Sequence, residues 1–252
     1  MKKLIMTLII LSFVGVCIAA SIQDKHKAVI ARRNVGGGAE AFYELSDDFA
    51  DGTPWTKDSD SGTWTHTNGT VSYNAGDYGQ YRFSADVLDN SYEQWIAVKM
   101  ATYANYTGVF FRGTSGSGNR YWIYAGGDGN DDAYVETVSY SGSLISGITC
   151  TAGDNNFDDY VKPDDEDWIG YKVINTGTGA TDFYIWDLGA SAPTTGPSGW
   201  GAADYKCENP TINDLVNSGT SVGLAHYDSG TAVFGSANDA VIEFYAGSVT
   251  EP

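Results

Sequence analysis

Histidine, cysteine and basic residues are scarce in this chain. It has three histidines, three cysteines and 14 Lys plus Arg against 32 Asp plus Glu in 252 residues. After the N-terminal segment only His66 and His226 occur, far apart and without a ligand-spaced partner, which argues against a zinc site. Two cysteines remain there, Cys150 and Cys207, and these permit one disulfide or two buried thiols. Pairing would close a loop of roughly 57 residues and contribute ~4 kcal/mol in the chain-entropy account. Six basic residues and one acid precede Asn34, leaving eight basic against 31 acidic residues beyond it, a net of −23. Nucleic acid is excluded as a partner, because binding needs a basic face to displace counterions. No Gly-x-Ser-x-Gly elbow, Walker loop or dinucleotide fingerprint is present. No segment carries a long amphipathic helical pattern.

The one long apolar run is at the start. Lys2 and Lys3 precede Leu4–Ala20, and the run closes on the small residues Ala19 and Ala20 with Ser21 after them. This order predicts a signal peptide over 1–20, with an uncleaved membrane anchor as the competing reading. Lys25, Lys27, Arg32 and Arg33 support the anchor, since basic residues there hinder translocation. Residues 21–45, with Gly36-Gly37-Gly38, read as a flexible tether. The expected location is secreted, cell-surface or periplasmic, with a membrane partner only if the segment stays uncleaved.

From Ser46 the chain alternates short aromatic and β-branched runs with Gly, Ser, Asn and Asp clusters. Eleven strands are predicted: Gly62–Thr67, Thr70–Tyr73, Gly79–Ala85, Gln94–Tyr103, Gly108–Gly113, Tyr121–Ala125, Ala133–Tyr140, Trp168–Asn175, Asp182–Asp187, Ser221–Tyr227 and Ala240–Gly247. Asn175–Thr181 reads as a hairpin turn with glycines supplying positive φ. Thr151–Asp167 and Leu188–Leu215 are long irregular connections. Many short strands without helices predict an all-β, two-sheet antiparallel β-sandwich as one domain over 46–249.

Period-2 alternation supplies the candidate site. It sends Phe110, Arg112 and Thr114 to one face of their strand and Val109, Phe111 and Gly113 to the other. Likewise Trp95, Lys99 and Tyr103 oppose Ile96, Val98 and Met100, while Arg120, Trp122 and Tyr124 oppose Tyr121, Ile123 and Ala125. An arginine inside an apolar strand is costly unless its face is wet, paired or bound. The expectation is one aromatic and cationic strip of Arg112, Trp95, Trp122, Tyr124, Lys99, Tyr103, Phe110 and Arg120, suited to stacking on a sugar. The competing reading is a second hydrophobic layer with Arg112 paired to an acid. His226 shares a face with Val222 and Leu224 and is expected to be a satisfied core or rim histidine.

The order Asp47-Asp48-Phe49, Gly62-x-Trp64, Gly108-Val109-Phe110-Phe111-Arg112, Asp167-Trp168-Ile169-Gly170, Phe183-Tyr184-Ile185-Trp186, Val222-Gly223-Leu224 and Glu243-Phe244-Tyr245-Ala246-Gly247 resembles the concanavalin A-like lectin/glucanase superfamily. That resemblance covers residues 46–249 and implies a LamG-like jelly roll. Gly108–Gly113 also resembles a segment of the 3-keto-disaccharide hydrolase group, which implies only a sugar-sized groove at Arg112. The superfamily's glucanases carry Glu-x-Asp-x-Glu or Glu-x-Asp-x-x-Glu on one strand, and neither occurs here. Structural calcium is expected at Asp128, Asn130 and Asp132, whose oxygens alternate as in calcium loops. By the resemblance it is also expected at Asp48 and Asp239.

The reading from sequence is a secreted, non-catalytic carbohydrate-binding module for an oligo- or polysaccharide or a glycosylated surface. A structural or adhesive surface or virion protein is second, and a sugar-active hydrolase or lyase third. Asn68-Gly69-Thr70 and Asn105-Tyr106-Thr107 are glycosylation sequons.

Overall fold

The computed structural model describes residues 45–249, apart from 50–51, 53, 60–61, 68, 75–78, 84–92, 103–105, 115–116, 126–132, 140–141, 149–163, 176–180, 209, 211–215, 217–218, 228–230 and 237–243. The signal and tether segments lie outside the described residues. So do Tyr103, Asp128, Asn130, Asp132, Cys150 and Asp239.

The described residues form sixteen strands. They are β1 (Leu45–Asp47), β2 (Trp55–Ser59), β3 (Thr63–Thr67), β4 (Thr70–Asn74), β5 (Gly79–Phe83), β6 (Glu93–Thr102), β7 (Thr107–Gly113) and β8 (Asn119–Ala125). Then come β9 (Ala133–Ser139), β10 (Leu144–Ile148), β11 (Trp168–Asn175), β12 (Thr181–Gly189), β13 (Tyr205–Cys207), β14 (Ser221–His226), β15 (Thr231–Gly235) and β16 (Phe244–Val249). Among the described residues there is no α-helix, and a 3₁₀ turn at Pro197–Gly199 is the one helical piece.

The pairings of these strands are antiparallel, and they build two sheets. The seven-stranded sheet runs β10-β9-β8-β7-β14-β5-β2. The nine-stranded sheet runs β13-β12-β11-β6-β15-β4-β3, with β16 also on β6 and β1 on β16. The length of β6 makes this branching possible. Its Glu93–Val98 part pairs with β16, while Met100 and Thr102 pair with β15.

Alternation decides what each sheet buries. Ile96, Val98 and Met100 of β6 enter one core with Val109 and Phe111 of β7, Tyr121 and Ile123 of β8, and Val222 and Leu224 of β14. Burying such side chains stabilises by about 1.5–3 kcal/mol each, which makes this shared layer the main force holding the sheets together. The residues between them in sequence point outward and form two separate clusters, one on each outer face. His226 is fully buried, as expected of a core histidine, with its Nδ1 3.0 Å from Thr107 Oγ1.

Candidate functional site

The expected single strip is divided between opposite sides of the sandwich. Phe110, Trp122 and Tyr124 meet on the outer face of the seven-stranded sheet, with Arg120 beside them. Trp95 and Lys99 sit on β6, in the other sheet. The sequence expectation assumed that three neighbouring runs were three neighbouring strands. The chain instead crosses from one sheet to the other between β6 and β7, a change that local alternation does not record.

On the seven-stranded sheet, Phe110 faces Trp122 and Trp122 faces Glu136 across β7, β8 and β9. Trp122 stacks on Tyr124 at 3.9 Å, and Tyr124 stacks on Tyr134 at 5.6 Å and lies 5.7 Å from Tyr106. Tyr134 is 43% exposed, whereas Trp122 and Tyr124 are buried. The Arg120 guanidinium lies 4.7 Å from the Phe110 ring centre and donates to Asp58 Oδ2 at 2.7 Å. Arg82 donates to the other Asp58 oxygen at 2.9 Å. Asp58 belongs to β2, four strands from β8, so the sheet must curl for this triad to close; a flat sheet would hold the strands about 19 Å apart. The face is therefore concave, and its two arginines share one buried carboxylate.

Burial raises the pKa of Glu136, and a hydrogen bond from Tyr124 acts in the opposite sense. Burial, followed by the Glu136 charge, raises that of Tyr124.

Arg112 departs from the alternation that singled it out. Phe111 and Arg112 together face Val222, because Gly113 pairs with Ser221 and Phe110 with Gly223. This bulge gives Arg112 a φ of 57°. Its backbone N–H donates to Gln94 Oε1 of the opposite sheet at 3.1 Å, and the residue is 1% exposed. Burial lowers its pKa, while nearby Tyr121 acts the other way. It does not stand in an open groove.

The outer face of the nine-stranded sheet holds the better-formed site. Register places Lys172 of β11 beside Tyr184 of β12, and Tyr184 beside Lys206 of β13. One step along, Trp186 faces Gly170. A side chain at position 170 would strike the Trp200 ring, since a Cβ there would lie 2.6 Å from it. The glycine thus lets Trp200 lie over the sheet, edge-on to Trp95 at 5.5 Å and to Trp186 at 5.3 Å. Two hydrogen bonds hold the covering loop, from Trp200 Nε1 to Thr195 O at 2.6 Å and from Trp186 Nε1 to Gly201 O at 3.3 Å. Pro197, at the first turn of the 3₁₀ segment, presets its backbone.

Between loop and strands lies a cleft of about 460 Å³. Its lining includes Lys172, Tyr184, Trp186 and Lys206 below and Pro197 and Ala202 from the loop. Tyr184 and Trp186 stack at 5.9 Å and 29°. The Lys172 ammonium sits 4.9 Å from the first ring and 5.3 Å from the second, and 3.6 Å from Glu93. Glu208 accepts from Lys206 at 2.9 Å and from the Tyr184 hydroxyl at 3.1 Å. The Lys206 hydrogen bond leads in holding the Glu208 pKa below the usual carboxylate value.

Sequence reasoning did not select Lys172, Tyr184, Trp186 or Lys206. The signal existed for the first three, because alternation along Trp168–Asn175 and Asp182–Asp187 turns them all outward. Lys206 lies on a three-residue strand inside an apparently irregular connection. Trp95 lies under Trp200 near this cleft, and Lys99 pairs with Glu166 at 3.4 Å.

Asp48 is partly buried, and among the described residues no cluster of three His, Cys, Asp or Glu is placed to hold a metal. His66 lies between the Phe49 carbonyl, 3.3 Å from Nδ1, and the Tyr81 hydroxyl, 2.8 Å from Nε2. That assigns the proton to Nδ1, because a carbonyl only accepts. Among the described residues no helix is long and apolar enough to cross a membrane.

No protein-family model and no curated protein sequence matches the chain. Among solved structures, the carbohydrate binding module CBM66 from Bacillus subtilis aligns at 14% identity and TM-score 0.44, covering 77% of this chain and 96% of the module. A xylan β-1,4-xylosidase from Bacillus halodurans aligns at 12% identity and TM-score 0.43, over 84% of this chain and 41% of the enzyme. A tail fibre protein from an E. coli phage aligns at 12% identity and TM-score 0.35, over 67% of this chain and 16% of the fibre protein. At these identities and scores the likenesses transfer no ligand, activity or residue role.

Proposed function

We propose that the domain is an exported, non-catalytic carbohydrate-binding module whose sugar site is the cleft over β11, β12 and β13. One observation carries this reading. The cleft sets the Tyr184 and Trp186 rings beside two ammonium groups in an open space large enough for a sugar ring. Sugars bind by laying an apolar face on an aromatic ring while their hydroxyls exchange hydrogen bonds with charged or amide groups. Tyr184 supplies the ring, and Lys172, Lys206 and Glu208 supply donors and acceptors. Loop and strand β12 are already tied by hydrogen bonds from Trp186 Nε1 to Gly201 O and from the Asp187 N–H to Asp204 Oδ2, so little ordering cost falls on binding.

The non-catalytic part rests on the paired-carboxylate requirement for glycoside hydrolysis. The acids beside the cleft among the described residues, Glu93 and Glu208, are each held in an ion pair with a lysine. A glycan array probed with the wild-type domain and with Tyr184→Ala tests the reading. Signal on a defined set of saccharides, lost in the variant at unchanged melting temperature, is expected. An array silent for both, with and without calcium, contradicts it.

The alternative is a sugar-contacting face at the exposed edge of Tyr134, backed by the ring stack of Tyr124 and Trp122 and by buried Phe110 and Arg120. Tyr134→Ala, and not Tyr184→Ala, would then weaken saccharide binding. Structural calcium at the Asp128–Asp132 turn, with Asp48 and Asp239 as further ligands, is a separate proposal. A melting temperature that rises with calcium and falls back with chelator supports it, and an indifferent one removes it.

A further inference from the structure

We infer that the cleft over β11–β13 selects a pyranose bearing a carboxylate, a uronate unit, with that carboxylate held between the ammonium groups of Lys172 and Lys206. The inference rests on the carbohydrate reading of the same cleft. Charge placement is its first support. The chain carries a formal net charge of −18, yet among the described residues the charged groups lining the cleft are two lysines, each ion-paired to one glutamate outside the lining, Glu93 and Glu208. Beyond Asn34 there are five lysines, so two of five converge on one site. The three arginines of the same region, Arg82, Arg112 and Arg120, are buried elsewhere.

Geometry is the second support. Lys172, Tyr184 and Lys206 stand in register on three successive strands, which sets the two lysine backbones about 9.6 Å apart with the tyrosine between them. A sugar ring resting on Tyr184 therefore has a cation on either side, within reach of a carboxylate on the ring's edge. Lys172 lies 3.6 Å from Glu93 and Lys206 2.9 Å from Glu208, so an incoming carboxylate joins ion pairs already in place. Contact with the Tyr184 and Trp186 rings lays the Lys172 stem along the cleft floor. The acidity of the rest of the surface repels a long polyanion, so short oligouronates and chain ends are the preferred form.

Isothermal titration with tri- and tetrasaccharides of mannuronate, guluronate, galacturonate and glucuronate, each as free acid and as methyl ester, tests the inference. At least one free acid is expected to bind, its ester roughly 10- to 100-fold more weakly, the range for a lost charge-assisted hydrogen bond. Lys172→Met and Lys206→Met keep the aliphatic stems and should each narrow the acid-to-ester ratio, at unchanged near-ultraviolet circular dichroism. Esters binding as tightly as acids overturn the inference. So does binding confined to neutral saccharides on the array; both of these leave the carbohydrate reading standing. Silence towards every saccharide, acidic and neutral, overturns both.

Discussion

Individual residues in this domain are set by what lies on the neighbouring strand. Gly170 is an example: its missing side chain is the space that Trp200 fills. Gly170→Ala should therefore cost about 1–3 kcal/mol by overpacking and lower the melting temperature by several degrees. The near-ultraviolet circular dichroism of the tryptophans should change with it. An unchanged spectrum would show that Trp200 does not depend on that glycine.

Glu136 gives a test that depends on pH. Burial raises its pKa, so the folded state holds the proton more tightly than the unfolded chain does. That contribution is full below the unfolded value of about 4.3 and is lost as pH rises through the folded one. Glu136→Gln, which no longer titrates but still accepts from Tyr124, should match wild type near pH 4 and melt higher than wild type near pH 8. A melting-temperature difference that does not grow with pH would contradict burial of this carboxyl.

At the scale of elements, alternation was the legible signal and sheet membership was not. The inward faces of β6, β8 and β14 follow from a period of two, and their residues are in the core. Arg112 breaks the pattern because a bulge adds a residue that no composition rule marks. Five strands escaped sequence reasoning: β1, β2, β10, β13 and β15. All are three to five residues long, and in β2, β10 and β13 Lys57 and Asp58, Gly147 or Lys206 dilutes the β-branched and aromatic content. Pairing with neighbours makes them strands, and pairing is not local.

Strand β2 shows what such a short element does. Its Asp58 reaches across the concave face to Arg82 and Arg120, with its own side chain 2% exposed. Asp58→Asn removes the anion that two buried guanidiniums share, at an expected cost of ~3 kcal/mol or more. Urea unfolding should show a lower midpoint at an unchanged slope. A loss below ~0.5 kcal/mol would mean that the triad does not hold the curl of the sheet.

For the whole molecule, the sandwich class was readable from the absence of helical periodicity and the abundance of short strands. The site was not, because the lining of the cleft comes from β11, β12, β13 and a loop, and β13 was not recognised as a strand. Cys207 lies in the core on that same β13. We propose that it pairs with Cys150, which lies outside the described residues. Peptide mapping without reduction should recover the linked pair, and reduction should lower stability by up to ~4 kcal/mol. Free thiols at both positions in protein recovered from an oxidising compartment would refute the pairing.

The central claim is a location as well as a ligand class: saccharide binds on the outer face of β11–β13. Chemical-shift mapping of the isotopically labelled domain, titrated with the array's strongest saccharide and with the oligouronates, tests both at once. Shifts are expected at the Trp186 indole, Lys172, Tyr184, Lys206 and residues 197–203, with Trp122 and Tyr124 unmoved. Shifts confined to the Trp122–Tyr134 face, or none with any saccharide, would contradict the account.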